Sequence, residues 1–330
     1  MPWFEPKLDV RPLPDWETLP YDVLSPQEEL VSERLEALYR LTAPTGGADV
    51  LLTSAVTASQ RLSPVSYIGA NTFFFHQGEQ ISLTTLQKRL AAAGYANVKQ
   101  VLAAGEFAVR GSIVDVFPMG SERPFRLDFF DDEIESIRWF DVDTQRSMES
   151  AEEIRLLPGH EFPVDPEALL AFRQRWRREF AGDPKKSIVY CDIEKEILPP
   201  GIEYYLPLFF DETAALTDYL PPNARVFLLG DIEAALQAFG RDMASRYKVL
   251  AADPQRPALK LALGLAGASF SKTFDELEMV QKLVPLFAKT GGDYSLSLDM
   301  TTALDPNMEP DLQSLDATGE IKSANIRIQN

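Results

Sequence analysis

Residues 110–140 read RGSIVDVFPMGSERPFRLDFFDDEIESIRWF. Apolar and polar residues alternate in three short runs, which are separated by turn-forming residues such as Pro118, Gly120 and Pro124. This pattern predicts three antiparallel strands joined by tight turns. Because successive side chains of a strand point to opposite faces, each run divides its residues between a buried and a solvated face.

The middle run, residues 125–130, has an unusual solvated face. Its two faces are Phe125, Leu127 and Phe129 on the apolar side and Arg126, Asp128 and Phe130 on the other. Arginine and aromatic side chains are enriched where proteins bind one another, so Arg126 and Phe130 form a candidate partner site. Truncating such exposed side chains should cost binding rather than folding. Two alternatives stay open: Phe130 packs on a neighbouring domain, or a one-residue register shift exchanges the faces.

Composition and charge limit the class of protein. A chain of 330 residues that is 45% hydrophobic can bury packed cores, and its net charge of −18 opposes nonspecific binding to nucleic acid. Residues 73–157 carry nine Lys and Arg against fourteen Asp and Glu, so their arginines belong to no broad basic surface. The single cysteine, Cys191, excludes an internal disulfide and fits a reducing compartment. With no membrane-spanning apolar run and no signal peptide, we expect a cytoplasmic protein that does not bind membranes.

The pattern before residue 73 predicts part of an α/β layer. Ser25 as N-cap, Pro26 at the first helical position and Glu28 closing a capping box predict a helix that ends near Leu41. Residues 49–62 then read as a buried strand leading into a helix. A parallel sheet normally gathers several such units, so we expect residues 1–72 to be a truncated first segment.

The rest of the chain divides into three predicted parts. Residues 73–157 form a small α+β unit, with a strand from Phe73, a helix from Leu83 to Gly94 and the three strands above. Residues 158–300 resume the α/β layer. The expected features there are a helix capped by Asp165, β signals in IVYCDI, GIEYYLPLFF and ARVFLLG, and a helix capped by Asp231. Residues 301–330 are polar and weakly patterned, which predicts a linker-like tail.

The usual catalytic motifs are missing from the sequence. No segment matches the phosphate-binding pattern G-x-x-x-x-G-K-[ST], and His76 and His160 lie too far apart in sequence to suggest a metal site. The acidic run at 131–133 is typical of a solvated turn. We therefore expect no catalytic residue, no cofactor and no metal, and predict that the chain is not an enzyme.

Several stretches resemble one known family. DWETLPYD at 15–22, residues 110–141, LLPGHEFP at 156–163 and GIEYYLPLFF at 201–210 are similar to the bacterial transcription-repair coupling factor family (Mfd), over roughly residues 12–257. The resemblance implies a UvrB-like fold, namely an α/β, degenerate RecA-like (P-loop-type) layer split around an inserted domain. That domain would bind the damage-recognition ATPase UvrA.

The resemblance also implies particular site residues and a role. The UvrA-contacting positions of the family fall on Arg110, Arg126 and Phe130. The expected role is a non-catalytic adaptor that recruits UvrA to stalled RNA polymerase and acts as a monomer. The full-length family protein resembles an ATP-dependent DNA translocase, and RNA polymerase and DNA would be engaged through domains absent from this chain. The alternatives are a UvrB-like DNA helicase or damage-verification fragment, and a docking face that another domain covers in the intact protein.

Overall fold

The computed structural model describes residues 8–42, 47–221, 224–259, 311–315 and 321–325. The strands are β1 (Val10–Leu13), β2 (Val50–Thr53), β3 (Phe73–His76), β4 (Ala96–Asn97), β5 (Glu106–Arg110), β6 (Ile113–Val116), β7 (Phe125–Phe130), β8 (Glu133–Phe140), β9 (Ser147–Ala151), β10 (Glu153–Leu156), β11 (Asp311–Leu315) and β12 (Ile321–Asn325). The α-helices are α1 (Glu28–Thr42), α2 (Ala55–Ser59), α3 (Val65–Ala70), α4 (Leu83–Ala92), α5 (Pro166–Glu179), α6 (Ile188–Glu194), α7 (Leu216–Tyr219) and α8 (Ile232–Leu250). Within these ranges no helix combines the length and hydropathy needed to cross a bilayer.

The first segment is a small parallel β pair packed on a helix. Strand β1 pairs with β2, and α1 buries Leu35 and Leu38 in the main core, the cluster that also contains Phe107, Val114 and Leu127. The predicted strand at β2 is confirmed, but the prediction that it is buried is wrong, since Leu52 is 46% exposed. Among the described residues β2 pairs with β1 alone, and none of them forms a strand along its other edge.

The predicted cap at Ser25 is also wrong, because α1 begins three residues later. The Ser25 hydroxyl instead donates to the Glu203 carboxylate (2.9 Å) and accepts from the Gly201 amide (3.0 Å). Gly201 has φ +78°, and a Cβ there would lie 2.5 Å from the carbonyl oxygen of Asp22. The serine therefore joins the start of the chain to a turn far along the sequence instead of capping its own helix.

The central unit is a six-stranded sheet in the order β4-β5-β6-β7-β8-β9. All neighbours are antiparallel except β4 and β5, and strands β6 to β8 confirm the three strands predicted from residues 110–140. Strand β3 and helix α4 are confirmed as well; Ser82 caps α4, and Leu86 and Leu90 pack beneath the sheet. Strand β3 pairs with β10 outside the six-stranded sheet.

The segment after residue 158 differs most from its prediction. The caps at Asp165 and Asp231 are confirmed, since each side chain accepts hydrogen bonds from the first turn of its helix. The β signals are wrong: IVYCDI forms α6, GIEYYLPLFF contains the 3₁₀ helix Ile202–Leu208, and 224–229 form no strand. The first two runs are rich in aromatic and β-branched residues because they pack on α5, where Trp176 contacts Tyr190 and, at 5.3 Å between ring centroids, Tyr205. Strand propensity largely reports such packing.

The described residues therefore form a mixed α/β fold. None of the described residues between 158 and 259 is in a strand, so the RecA-like layer stays a prediction. Residues 260–300, part of the predicted second segment, lie outside the described residues. In the predicted tail, β11 and β12 pair in antiparallel fashion, and its linker-like character stays a prediction.

Candidate partner-binding site

The six-stranded sheet has one face on the main core and one that we call the outer face. Phe125, Leu127 and Phe129 of β7 are buried in the main core, whereas Phe130 is 68% exposed. The predicted division of faces is confirmed, and the register-shift alternative is wrong. No described residue covers Phe130 enough to account for it as packing against a neighbouring domain.

The end of the β7–β8 hairpin sets the position of Phe130. Phe130 pairs with Glu133 across a two-residue turn whose first residue, Asp131, has φ +52°. Aspartate tolerates this left-handed conformation better than most residues do. Between Asp128 and Phe129 the pairing skips Glu135 of β8, which places the buried Ile134 opposite Phe129 on the core side. The side chain of Phe130 is thereby presented at the tip of the outer face.

A buried carboxylate organises the centre of the outer face. Asp115 of β6 has a fully buried side chain, and its two oxygens accept hydrogen bonds from Arg126 Nε (2.6 Å) and Arg126 Nη2 (3.0 Å). The second oxygen also accepts from Arg110 Nη2. The hydrogen bond to Asp115 is the largest of the effects that raise the pKa of the Arg126 guanidinium. One carboxylate thus ties together arginines from two other strands.

The two arginines differ in how much of each a partner could reach. Arg126 is only 14% exposed; besides Asp115 it reaches the carbonyl of Gln145 (3.2 Å) and lies 5.0 Å over the ring of Phe140. Arg110 is 50% exposed and bonds to Asp115 alone among the described residues. The sequence-based view of Arg126 as an exposed side chain is therefore wrong, because neighbouring strands enclose it.

The structure brings all three predicted site residues to one face of one sheet. Arg110 ends β5, Arg126 lies in the middle of β7 and Phe130 ends it. Sequence reasoning missed the role of Asp115. The available signal was a single acidic residue inside an otherwise apolar strand.

The outer face continues on both sides of this network. At one end, Val101, Ala108 and Phe140 form a small buried cluster that supports Arg126. Beside Arg126 on the next strand stands Arg138, an exposed residue without an ion pair to any residue that the structure describes. In the described ranges, no group of three or more His, Cys, Asp or Glu could hold a metal ion.

Comparison with known proteins assigns a class to this sheet. Residues 73–162, which contain the whole outer face, match the family model of the UvrB interaction domain. The central unit is therefore a domain of the UvrB-interaction class.

Whole-chain relatives narrow the assignment. The chain is 45% identical over 251 residues to the transcription-repair-coupling factor of Escherichia coli (strain K12), covering 76% of this chain and 22% of that protein. It is also 45% identical over 254 residues to the transcription-repair-coupling factor of Haemophilus influenzae, again covering 76% and 22%, and 32% identical over 216 residues to that of Bacillus subtilis (strain 168), covering 61% and 18%. The chain is a relative of the transcription-repair-coupling factors and spans about a fifth of the length of these curated proteins.

Proposed function

We propose that this chain is a non-catalytic adaptor of transcription-coupled DNA repair that binds UvrA through the outer face of its six-stranded sheet. The observation that carries the proposal is Phe130, a phenylalanine 68% exposed, on the same face as Arg110 and Arg126 and inside the residues matched to the UvrB interaction domain. The relatives are named for coupling transcription to repair. In the same role, the chain would recruit UvrA to stalled RNA polymerase.

The chemistry of the face suits a protein partner. A buried phenylalanine contributes about 1.5–3 kcal/mol when it leaves water, so an exposed one is a favourable anchor for a partner pocket. Arginine next to such an anchor can bind carboxylates with paired hydrogen bonds. We therefore expect a UvrA surface with an apolar pocket bordered by acidic residues.

The three site residues take different roles in this proposal. Phe130 is the apolar anchor, and Arg110 supplies the accessible guanidinium because half of its side chain is exposed. Arg126 exposes little surface to a partner, and its main role is to hold Asp115 through the ion pair between them. Polar contacts at the rim of an interface contribute less than a central anchor, so Phe130 should carry the largest share of the binding energy.

The remainder of the chain would hold this domain in place. The proposed division is 1–72 and 158–300 as two segments of a degenerate RecA-like scaffold, 73–157 as the UvrA-binding insert and 301–330 as a linker. One buried contact supports a rigid junction: Arg34 of α1 bonds to Glu161, just after the insert, with both side chains buried. Engagement of RNA polymerase and DNA is assigned to other parts of the longer relatives, and the proposed location is the cytoplasm.

The test is titration calorimetry of the purified chain with purified UvrA. Phe130→Ala should weaken binding by roughly thirtyfold, or about 2 kcal/mol, as the loss of a central anchor does. The matched control is Phe227→Ala, a phenylalanine 55% exposed outside the matched domain, which should bind like the parent. Equal affinities for the parent and Phe130→Ala would contradict the proposal.

The helicase alternative has its own test. A UvrB-like motor fragment should hydrolyse ATP in the presence of DNA, and the adaptor should not, because no loop of the sequence offers the phosphate-binding pattern. Turnover clearly above that of a heat-inactivated control would favour the motor fragment.

A further inference from the structure

We propose that Asp115 is a positioning residue for the docking face: it fixes the Arg110 guanidinium in the orientation that the partner binds. This inference rests on the proposed function, since it concerns the same surface. Asp115 does not touch the partner itself, because its side chain is fully buried. It would act through the arginine above it.

The hydrogen bonds among Asp115, Arg110 and Arg126 leave Arg110 as the arginine with donors available to a partner. Each nitrogen of the Arg126 guanidinium already has an acceptor, in Asp115, Gln145 or Ser147. Arg110 uses Nη2 for Asp115, and its Nε and Nη1 have no acceptor among the residues that the structure describes. Arg110 can therefore bind Asp115 with one side of its planar fork and a partner carboxylate with the other.

An arginine held in this way binds at a lower entropic cost. A half-exposed arginine samples many rotamers, and ordering it at an interface costs part of the binding energy. The bond from Nη2 to a rigid buried carboxylate removes much of that freedom before the partner arrives. Asp115 is itself rigid, because the fork of Arg126 holds both of its oxygens and the strands on either side pair with β6.

The burial of Asp115 is costly in a way that folding alone does not explain. Its side chain is fully buried in the sheet, and its cross-strand partner on β5 is the buried, apolar Ala108. Replacing a buried ion pair by apolar residues of similar volume is often neutral or stabilising. A carboxylate at this position is therefore better explained by the orientation that it gives to the arginines.

A second account of Asp115 predicts the opposite sign. If Asp115 only neutralised the two arginines, removing its charge would make the face more positive and would tighten binding to an acidic partner. If it positions Arg110, removing its charge must weaken binding even though the face becomes more positive. The direction of the change thus separates the two accounts.

The experiment is calorimetry with UvrA on Asp115→Asn, a substitution that keeps the shape and removes the charge. We expect Asp115→Asn to bind UvrA roughly tenfold more weakly than the parent. In a protein that already carries Arg110→Ala, the same substitution should change the affinity by less than about twofold, because Asp115 acts through Arg110. Asp115→Glu, which keeps the charge, should restore part of the affinity. Thermal melts of each variant confirm that the protein tested is folded.

The possible outcomes separate this inference from the proposed function. Unchanged or tighter binding by folded Asp115→Asn overturns the inference, and so does a loss that persists in full in the Arg110→Ala background. If Asp115→Asn does not fold, Arg110→Lys serves as the test, because lysine keeps the positive charge but lacks the planar fork. An affinity of Arg110→Lys for UvrA equal to that of the parent overturns the inference. Absence of UvrA binding by the parent, or normal binding by Phe130→Ala, overturns the proposed function itself.

Discussion

Truncation of the two arginines that share Asp115 should have very different effects on stability. Arg126→Ala removes both hydrogen bonds of the fork to Asp115, the contact with the Gln145 carbonyl and the stacking on Phe140. The buried carboxylate is then left with the half-exposed Arg110 alone. Arg110→Ala removes one bond and leaves the fork of Arg126 intact.

The magnitudes follow from burial. Breaking a buried ion pair costs about 3–5 kcal/mol when the remaining charge is unpaired. Because Arg110 still contacts Asp115, we expect about 2–3 kcal/mol for Arg126→Ala, including about 0.5–1 kcal/mol for the lost cation–π contact. For Arg110→Ala we expect at most about 1 kcal/mol, because the side chain of Arg110 is half exposed and the fork of Arg126 still pairs with Asp115.

Urea denaturation at constant pH measures both values. The midpoint should fall much further for Arg126→Ala than for Arg110→Ala, with the dependence on urea concentration unchanged in both, since neither variant alters the buried surface substantially. Free energies of unfolding that agree within about 0.5 kcal/mol would contradict this prediction. The two arginines would then share Asp115 equally, and Arg126 would not be the structural member of the pair.

Three further predictions concern stability. Phe129→Ala should destabilise by about 3–4 kcal/mol, as truncation of a core phenylalanine does, whereas Phe130→Ala should stay within about 0.5 kcal/mol of the parent in thermal and urea melts; the reverse order would mean that the faces are exchanged. Glu161→Ala should cost about 3–5 kcal/mol in the same urea assay, because it leaves Arg34 buried without its partner at 2.5 Å, and a loss below about 1 kcal/mol would show that this contact does not hold the junction. Burial raises the pKa of Glu203 to about 7, above the pKa of the same carboxyl in the unfolded chain. The folded state therefore binds this proton more tightly, and the stability that this provides is complete below about pH 4.5, falls between about pH 4.5 and 7 and is lost at higher pH. The difference in unfolding free energy between the parent and Glu203→Gln should therefore shift by about 2 kcal/mol against the parent from pH 5 to pH 8, and a difference independent of pH would contradict this.

The parts of the fold that the sequence predicted correctly depend on local rules. The alternation in residues 125–130 assigned Phe129 to the core and Phe130 to solvent, because the faces of a strand follow from a period of two. The caps at Asp165 and Asp231 involve groups only two or three residues away. Such features depend little on the rest of the chain.

The errors come from long-range contacts. The hydroxyl of Ser25 pairs with Gly201 and Glu203, which no local pattern could indicate. The run at 188–193 has high strand propensity, but it packs as a helix against Trp176. In the candidate site, the partial burial of Arg126 depends on Asp115, Phe140 and Gln145 from other strands and loops. Alternation along a strand predicts which face of the sheet a side chain lies on. How far that side chain is buried depends on its neighbours in the assembled sheet.

Site-specific cross-linking can show whether UvrA docks on the outer face. A photoreactive benzoylphenylalanine placed at Phe130, at the exposed tip of the hairpin, should form a covalent adduct with UvrA on irradiation. The same group placed at Phe227 should not. We expect adducts from position 130 that disappear when an excess of the unlabelled parent is added. A complex that forms and yields adducts only from position 227 would contradict it.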